Sequence, residues 1–171
     1  MDFFEIDLSL TEEQTAYFLR YHQEHYADYY NHTVGEDYTN LDILFMHHEH
    51  DPVVKEVLAN FPHQPAKVSL MHVAPHAEVV PHVDGTDYPR LSAVMFQLRK
   101  PAQNFAPTIL YKDENESHLH YDCYAFSTQT LHGVKNNEHD RVALQLWYPE
   151  KIEKLYKLLI LNEKKIEKNA L

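Results

Sequence analysis

The stretch Pro81-His82-Val83-Asp84-Gly85 decides how the rest of the chain is interpreted. His82 and Asp84 are two residues apart, so on a β-strand both side chains point to the same face. A second histidine from a distant strand, His132, completes a set of two imidazoles and one carboxylate. This donor set is typical of non-haem Fe(II) sites that keep three coordination positions open. The sequence therefore predicts a metal site formed by His82, Asp84 and His132.

A downstream arginine extends this hypothesis. Arg141 follows His132 by nine residues and begins a predicted strand, where its side chain can reach the interior and bind the far carboxylate of a co-substrate. Glycine placement supports the same region. The chain has three glycines, and Gly85 and Gly133 adjoin the proposed ligands, where tight turns and close backbone approach favour glycine.

The middle of the chain predicts the scaffold. Short segments rich in β-branched and aromatic residues are separated by prolines, a pattern typical of strands. Helical patterns precede them, so we expect a mainly β protein: a sandwich or jelly-roll barrel with flanking helices packed outside. The predicted strands are Lys67–Val73, Val79–His82, Leu91–Leu98, Thr108–Tyr111, His120–Phe126 and Val142–Tyr148.

Two helices are predicted before these strands. Thr11 and Gln14 fit a capping box, and an aromatic stripe extends that helix to about residue 31. Residues 31–40 are polar and turn-rich and predict a loop. Asp51-Pro52 indicates the start of a second, short helix.

The sequence also predicts how the domain is organised. Residues 1–171 are expected to form a single domain. Within it, residues 1–66 form a helical N-terminal support, residues 67–149 the jelly-roll core and residues 150–171 a C-terminal helix. That helix is expected to dock on the barrel, with a homodimer contact as the alternative.

Composition limits the partners and the compartment. A net charge of −11 argues against a nucleic-acid duplex as partner, because phosphate binding requires a basic surface. The N-terminus has no signal-peptide pattern, and no apolar run is long enough to cross a membrane. Cys123 is the only cysteine, which favours a reducing compartment. We therefore expect a soluble, cytoplasmic protein without a membrane partner.

Together these motifs resemble a known superfamily. The order His-x-Asp, distal His and then Arg is similar to that of the Fe(II)/2-oxoglutarate-dependent oxygenases, and the resemblance covers residues 67–150. Within this superfamily, segments 82–91 and 132–150 look most like the aspartyl/asparaginyl β-hydroxylase-like (prolyl-hydroxylase-like) branch. The chain departs from that branch at Asp84, where the branch usually has a non-ligand, and at Ser92 and Tyr148, where it has histidines.

The resemblance implies a fold, a site and a reaction. It implies a double-stranded β-helix (jelly-roll, cupin-like) core, with His82, Asp84 and His132 binding Fe(II). Arg141 would pair with the 5-carboxylate of 2-oxoglutarate, and Arg90 matches an additional arginine near the co-substrate. The implied enzyme is a dioxygenase that uses O2 and 2-oxoglutarate to hydroxylate a C–H bond, most simply in a peptidyl or free amino acid.

Two alternatives come from other functional classes. A cupin-like metal-binding or sensing protein without oxygenase turnover would keep the histidines but would not need Arg141. A zinc-dependent cupin enzyme would use His118 and His120, but the glycine-rich segment that normally precedes such a pair is missing.

Overall fold

The computed structural model describes residues 1–34, 37–85, 90–98, 106–135 and 138–161. Several parts of the sequence predictions lie outside these residues: positions 35–36 of the expected loop, 86–89 of the first motif, 99–105 of the expected core, 136–137 of the second motif and 162–171 of the predicted C-terminal helix. None of the helices in the described segments is both long and apolar enough to span a membrane.

Antiparallel strands dominate the described chain. In chain order they are β1 (Phe3–Glu5), β2 (Tyr30–Val34), β3 (Asp37–Met46), β4 (Lys67–Val73), β5 (Val79–His82), β6 (Ser92–Gln97), β7 (Thr108–Lys112), β8 (Asn115–Leu119), β9 (Cys123–Ser127), β10 (His132–Val134) and β11 (Arg141–Tyr148). The major sheet has the order β1-β9-β6-β11-β4-β3-β2, and the minor sheet has the order β5-β10-β7-β8. The prediction of a mainly β fold with flanking helices is confirmed.

The helices are short and begin at the predicted capping residues. Helix α1 (Glu12–Glu24) has the full capping box between Thr11 and Gln14, and α2 (Pro52–Leu58) begins at Asp51, whose carboxylate accepts two backbone N–H groups. Near the C-terminus, α3 (Ile152–Tyr156) continues into a π-helical turn, Lys157–Leu161.

Both faces of the major sheet are buried, which its alternating side chains explain. On β4 and β11, residues such as Leu70 and Leu144 pack under the helices, in a cluster that includes Phe18 of α1 and Val54 of α2. Their neighbours face the other way. Met71 packs with residues of β5 and β10 from the minor sheet. The space between the sheets is therefore where inward-pointing residues of distant strands meet.

The N-terminal region differs from the prediction. Helix α1 ends at Glu24 rather than near residue 31, and the segment expected to be a loop at 31–40 belongs to strands β2 and β3. Residues 1–66 are thus not purely a helical support. The physical reason is tertiary: β3 pairs with β4 along most of its length, and β2 adds to the outer edge. Edge strands are often polar, so the sequence of this segment looked like a loop.

A second difference concerns β8. The sequence did not predict β8, which pairs with β7 through a two-residue turn, and of the predicted strand His120–Phe126 only Cys123–Phe126 lie in a strand, β9. The turn residues Asp113 and Glu114 have φ values of 47° and 65°. Such turns are usually recognised by Asn-Gly or Asp-Gly, and this one lacks glycine.

Candidate metal centre and adjoining cleft

Two histidines from different strands meet at one end of the minor sheet. His82 is the last residue of β5 and His132 the first of β10, and the two are direct partners in the strand ladder. Their ring centroids are 4.5 Å apart. Each Nδ1 lies 2.8 Å from a carbonyl oxygen two residues earlier, that of Val80 or Thr130. Since Nδ1 of each ring is held by a carbonyl, Nε2 is the nitrogen of each histidine that faces Asp84 and is placed to bind a metal.

Asp84 brings its carboxylate to the same point. Its Oδ1 lies 3.5 Å from Nε2 of His82 and 3.9 Å from Nε2 of His132, and one ligand atom from each of the three residues lies within 4.8 Å of the others. The backbone N–H of Asp84 donates to the carbonyl of Thr128, which fixes the segment after β5. Two imidazoles and one carboxylate with ligand atoms this close together fit an Fe(II) ion with open positions.

The charges at this point also suit a cation. Burial alone would raise the pKa of Asp84, but the hydrogen bond with His82 and the positive charge of Arg90 outweigh it, so this pKa is lowered. Burial lowers the pKa of His132 to about 4, against the opposing charge of Asp84. At neutral pH the site therefore presents an ionised carboxylate and a neutral His132, the protonation states that metal binding requires.

Arg90 lies behind this carboxylate. Its Nη2 is 2.5 Å from Oδ2 of Asp84, and its Nη1 donates to Oε1 of Gln145 at 2.8 Å. The guanidinium also stacks over the ring of Trp147, 4.0 Å from the centroid. Burial lowers the pKa of Arg90, and the charge of Asp84 opposes this shift. The expected contact of Arg90 with the co-substrate stays a prediction, whereas its contact with the proposed iron ligand is direct.

A cleft with about 380 Å³ of empty volume, including space open to solvent, is lined by two of the proposed ligands, His82 and His132, and by Arg141. Arg141 is only 3% exposed, and its Nη2 donates to Oγ1 of Thr108 at 2.9 Å and contacts the Tyr124 hydroxyl at 3.4 Å. A buried guanidinium requires an anionic or strongly polar partner. Apolar side chains supply much of the remaining lining: Leu41, Met71, Val79, Met95, Phe126 and Val134.

Several polar residues of the site were not predicted from the sequence. Thr108 and Tyr124 accept hydrogen bonds from Arg141, and Gln145 accepts one from Arg90. The Thr128 carbonyl accepts from the backbone N–H of Asp84, and the Thr128 hydroxyl donates to the backbone carbonyl of Arg90. Thr108, Tyr124 and Gln145 lie on predicted strands, which was a weak signal. No local pattern indicated that they face the same cleft.

The glycines adjoining the ligands have unequal roles. A Cβ on Gly133 would lie 2.6 Å from the carbonyl oxygen of Val79, so β10 can approach β5 this closely only with glycine there. A Cβ on Gly85 would meet nothing within 4 Å. Packing therefore requires glycine at Gly133 only.

Other histidines singled out in the sequence lie elsewhere. His118 and His120 stack on each other at the surface, and His118 pairs with Glu116 rather than with the proposed iron ligands. The two positions where the chain departs from the resembled branch have other partners. Ser92 donates to the carbonyl of Glu150, and Tyr148 donates to that of His63.

Comparisons with known proteins agree on the fold. No protein-family model and no curated protein sequence matches the chain significantly. Among solved structures, it is similar to a prolyl-4-hydroxylase from Pseudomonas putida, with a TM-score of 0.68, 13% identity and coverage of 86% of this chain and 91% of that one.

Two further structures show the same similarity. A prolyl hydroxylase from Trichoplax adhaerens, in complex with a peptide fragment of hypoxia inducible factor, has a TM-score of 0.66 and 16% identity, covering 92% of this chain and 86% of that one. A viral collagen prolyl hydroxylase from Paramecium Bursaria Chlorella virus-1, in complex with 2-oxoglutarate, has a TM-score of 0.59 and 13% identity, covering 86% and 95%. The chain therefore has the double-stranded β-helix fold of the Fe(II)/2-oxoglutarate-dependent oxygenases.

Proposed function

We propose that the chain is an Fe(II)- and 2-oxoglutarate-dependent dioxygenase that hydroxylates a C–H bond of its substrate. The observation that carries this proposal is one cleft lined by two kinds of group. His82 and His132, which converge with Asp84, line this cleft together with the buried Arg141. The metal would bind the chelating end of a small dicarboxylate such as 2-oxoglutarate, and the guanidinium would bind its other carboxylate. The apolar walls suit the methylene groups between them.

Each residue has a physical task in this proposal. The two imidazoles and Asp84 hold Fe(II), and Arg90 keeps the Asp84 carboxylate ionised and oriented. When bound, Fe(II) supplies the oxygen chemistry: 2-oxoglutarate and O2 become succinate and CO2, and one oxygen atom enters the substrate C–H bond. The protein contributes orientation and a site shielded from water.

Arg141 selects the co-substrate. A guanidinium pairs with a carboxylate through two parallel N–H donors, which gives direction as well as charge. Thr108 and Tyr124 add hydroxyl groups beside it, and both are almost completely buried. We infer that these three side chains bind the 5-carboxylate of 2-oxoglutarate, with the apolar walls around its methylene groups.

The substrate is proposed to be a peptidyl or free amino acid. The similarity to a prolyl hydroxylase that binds a peptide supports the peptidyl class. A cytoplasmic location and a homodimer stay predictions.

The decisive experiment measures co-substrate binding and turnover together. With Mn(II), N-oxalylglycine at about 100 times its Kd should raise Tm by about 5–10 °C, whereas glutarate, which lacks the chelating group, should raise it much less. With Fe(II) and ascorbate under air, the protein should release succinate from 2-oxoglutarate. No stabilisation and no succinate would indicate the alternative, a protein that binds or senses metal without turnover.

A further inference from the structure

A second group of metal-ligand residues lies on the helix-facing side of the major sheet. His22 of α1, His72 of β4 and Asp140, just before β11, each offer one ligand atom, and these atoms lie within 4.8 Å of one another. Both histidines are buried and Asp140 is half-buried. Because side chains alternate along a strand, His72 faces away from the cleft that its neighbour Met71 lines.

Both imidazoles are held by oxygen atoms at Nδ1. His72 Nδ1 lies 3.1 Å from the carboxylate of Asp42, and His22 Nδ1 lies 2.9 Å from the hydroxyl of Tyr29. A carboxylate accepts a hydrogen bond from Nδ1–H, so the lone pair of His72 is on Nε2. Such contacts orient metal-binding histidines and increase their basicity.

The spacing of the two rings suits a tetrahedral ion. The centroids of His22 and His72 are 5.0 Å apart, and the rings are tilted by 37°. Two imidazoles bound to one tetrahedral zinc at Zn–N distances of about 2.0–2.1 Å have their centroids about 5 Å apart. The corresponding distance for His82 and His132 is shorter, 4.5 Å.

We propose that His22, His72 and Asp140 bind a divalent cation of the zinc type, with water as fourth ligand. Two imidazole nitrogens and one carboxylate oxygen form a donor set that zinc favours. The three ligands come from α1, from β4 and from the segment before β11, so the ion joins the first helix to the two central strands of the sheet. Because the ion would bind only the folded chain, it stabilises the fold by mass action.

Co(II) and Zn(II) are the probes for this site. The metal-free full chain is titrated with each ion, and bound metal is counted after desalting. We expect two equivalents per chain, one of which gives the strong visible absorption of tetrahedral Co(II), displaced by Zn(II). Asp140→Asn should remove that equivalent and its absorption, and Asp42→Asn should weaken its binding about 10–100-fold. His118→Gln, a surface histidine, is the matched control.

Separate variants distinguish the two centres. His82→Ala should lose the other equivalent and keep the tetrahedral Co(II) absorption. Circular dichroism checks that each variant is folded, and the half-buried Asp140→Asn keeps the shape of the side chain. A single equivalent that His82→Ala abolishes would overturn the proposal, as would a tetrahedral Co(II) spectrum that Asp140→Asn leaves unchanged.

Discussion

His82 and His132 face each other as direct partners across β5 and β10, although strands β6 to β9 lie between them in the chain. Gly133 makes this approach possible, because any side chain there would collide with the carbonyl of Val79. The geometry of the proposed iron centre therefore depends on a glycine, which has no side chain and cannot itself be a ligand through one.

Gly133→Ala should damage both the fold and the metal site. Its Cβ would lie 2.6 Å from backbone oxygen, and the strands must separate. Overpacking of this kind costs about 1–3 kcal/mol, and the shift of His132 should weaken Fe(II) binding at least about 10-fold. Urea unfolding and metal titration measure the two effects. Gly85→Ala, where the Cβ meets nothing within 4 Å, is the matched control; equal effects in both variants would contradict this account.

Asp84→Ala should abolish Fe(II)-dependent turnover of 2-oxoglutarate. The substitution removes the only carboxylate of the triad and leaves Arg90 as a buried charge without its ion-pair partner. Succinate release and bound iron are both measured, with His118→Ala as control. His82→Ala should behave in the same way. Full activity in both variants would refute the iron site.

Arg141→Ala should raise the 2-oxoglutarate concentration needed for half-maximal succinate release by about 100-fold or more, because charged hydrogen bonds contribute about 1.5–3 kcal/mol each. Fe(II) affinity should change little. Arg141→Lys should restore only part of the loss, since lysine lacks the planar fork. Thr108→Ala, which removes one hydroxyl beside Arg141, should have a smaller effect. An unchanged requirement in Arg141→Ala would exclude the proposed role.

Arg90→Lys tests whether this arginine acts through Asp84 or on the co-substrate. Lysine keeps the charge but loses the fork that reaches Asp84 and Gln145. Iron affinity should fall about 10–100-fold, as for other residues that orient metal ligands. At saturating iron, the 2-oxoglutarate requirement should stay close to that of the unchanged protein. A raised requirement with normal iron affinity would instead favour direct contact with the co-substrate.

The stability of the metal-free protein should depend on pH through His132. Its pKa is lowered to about 4 in the fold and is about 6.5 when unfolded, so the unfolded chain binds the proton first as the pH falls. This contribution to stability is fully present above pH of about 6.5 and is lost towards pH of about 4. The loss between pH 6.5 and 5 is about 1.6 kcal/mol. The free energy of unfolding of His132→Gln, measured with urea, should depend less on pH than that of the unchanged protein. The same slope in both proteins would contradict the assignment of this pH dependence to His132.

Local patterns in the sequence determined much of the architecture. Strands β4 and β5 have the bounds that their β-branched and aromatic residues predicted, and α1 and α2 begin at their capping residues. These signals are local because they depend on neighbouring residues and on backbone hydrogen bonds at helix ends. The spacing of His82 and Asp84 predicted that the two side chains meet on one strand face; in the structure they do meet, although Asp84 lies beyond the end of β5.

Pairing between distant segments was decided only in the tertiary structure. Strand β3 forms because β4 offers it a partner, and the glycine-free turn at Asp113 and Glu114 is held by the β7–β8 ladder. Neither the pairing of β3 with β4 nor the conformation of this turn can be predicted from a short window of sequence.

The contacts around the two arginines were decided in the same way. Strand register decides which hydroxyl lies beside Arg141. It also decides that Arg90 pairs with Asp84 and stacks over Trp147. A shift of one residue turns every side chain of a strand to the other face. The sequence by itself determined the scaffold and the proposed donor set, whereas the register between strands decided which residues support that donor set and which form the second cluster across the sheet.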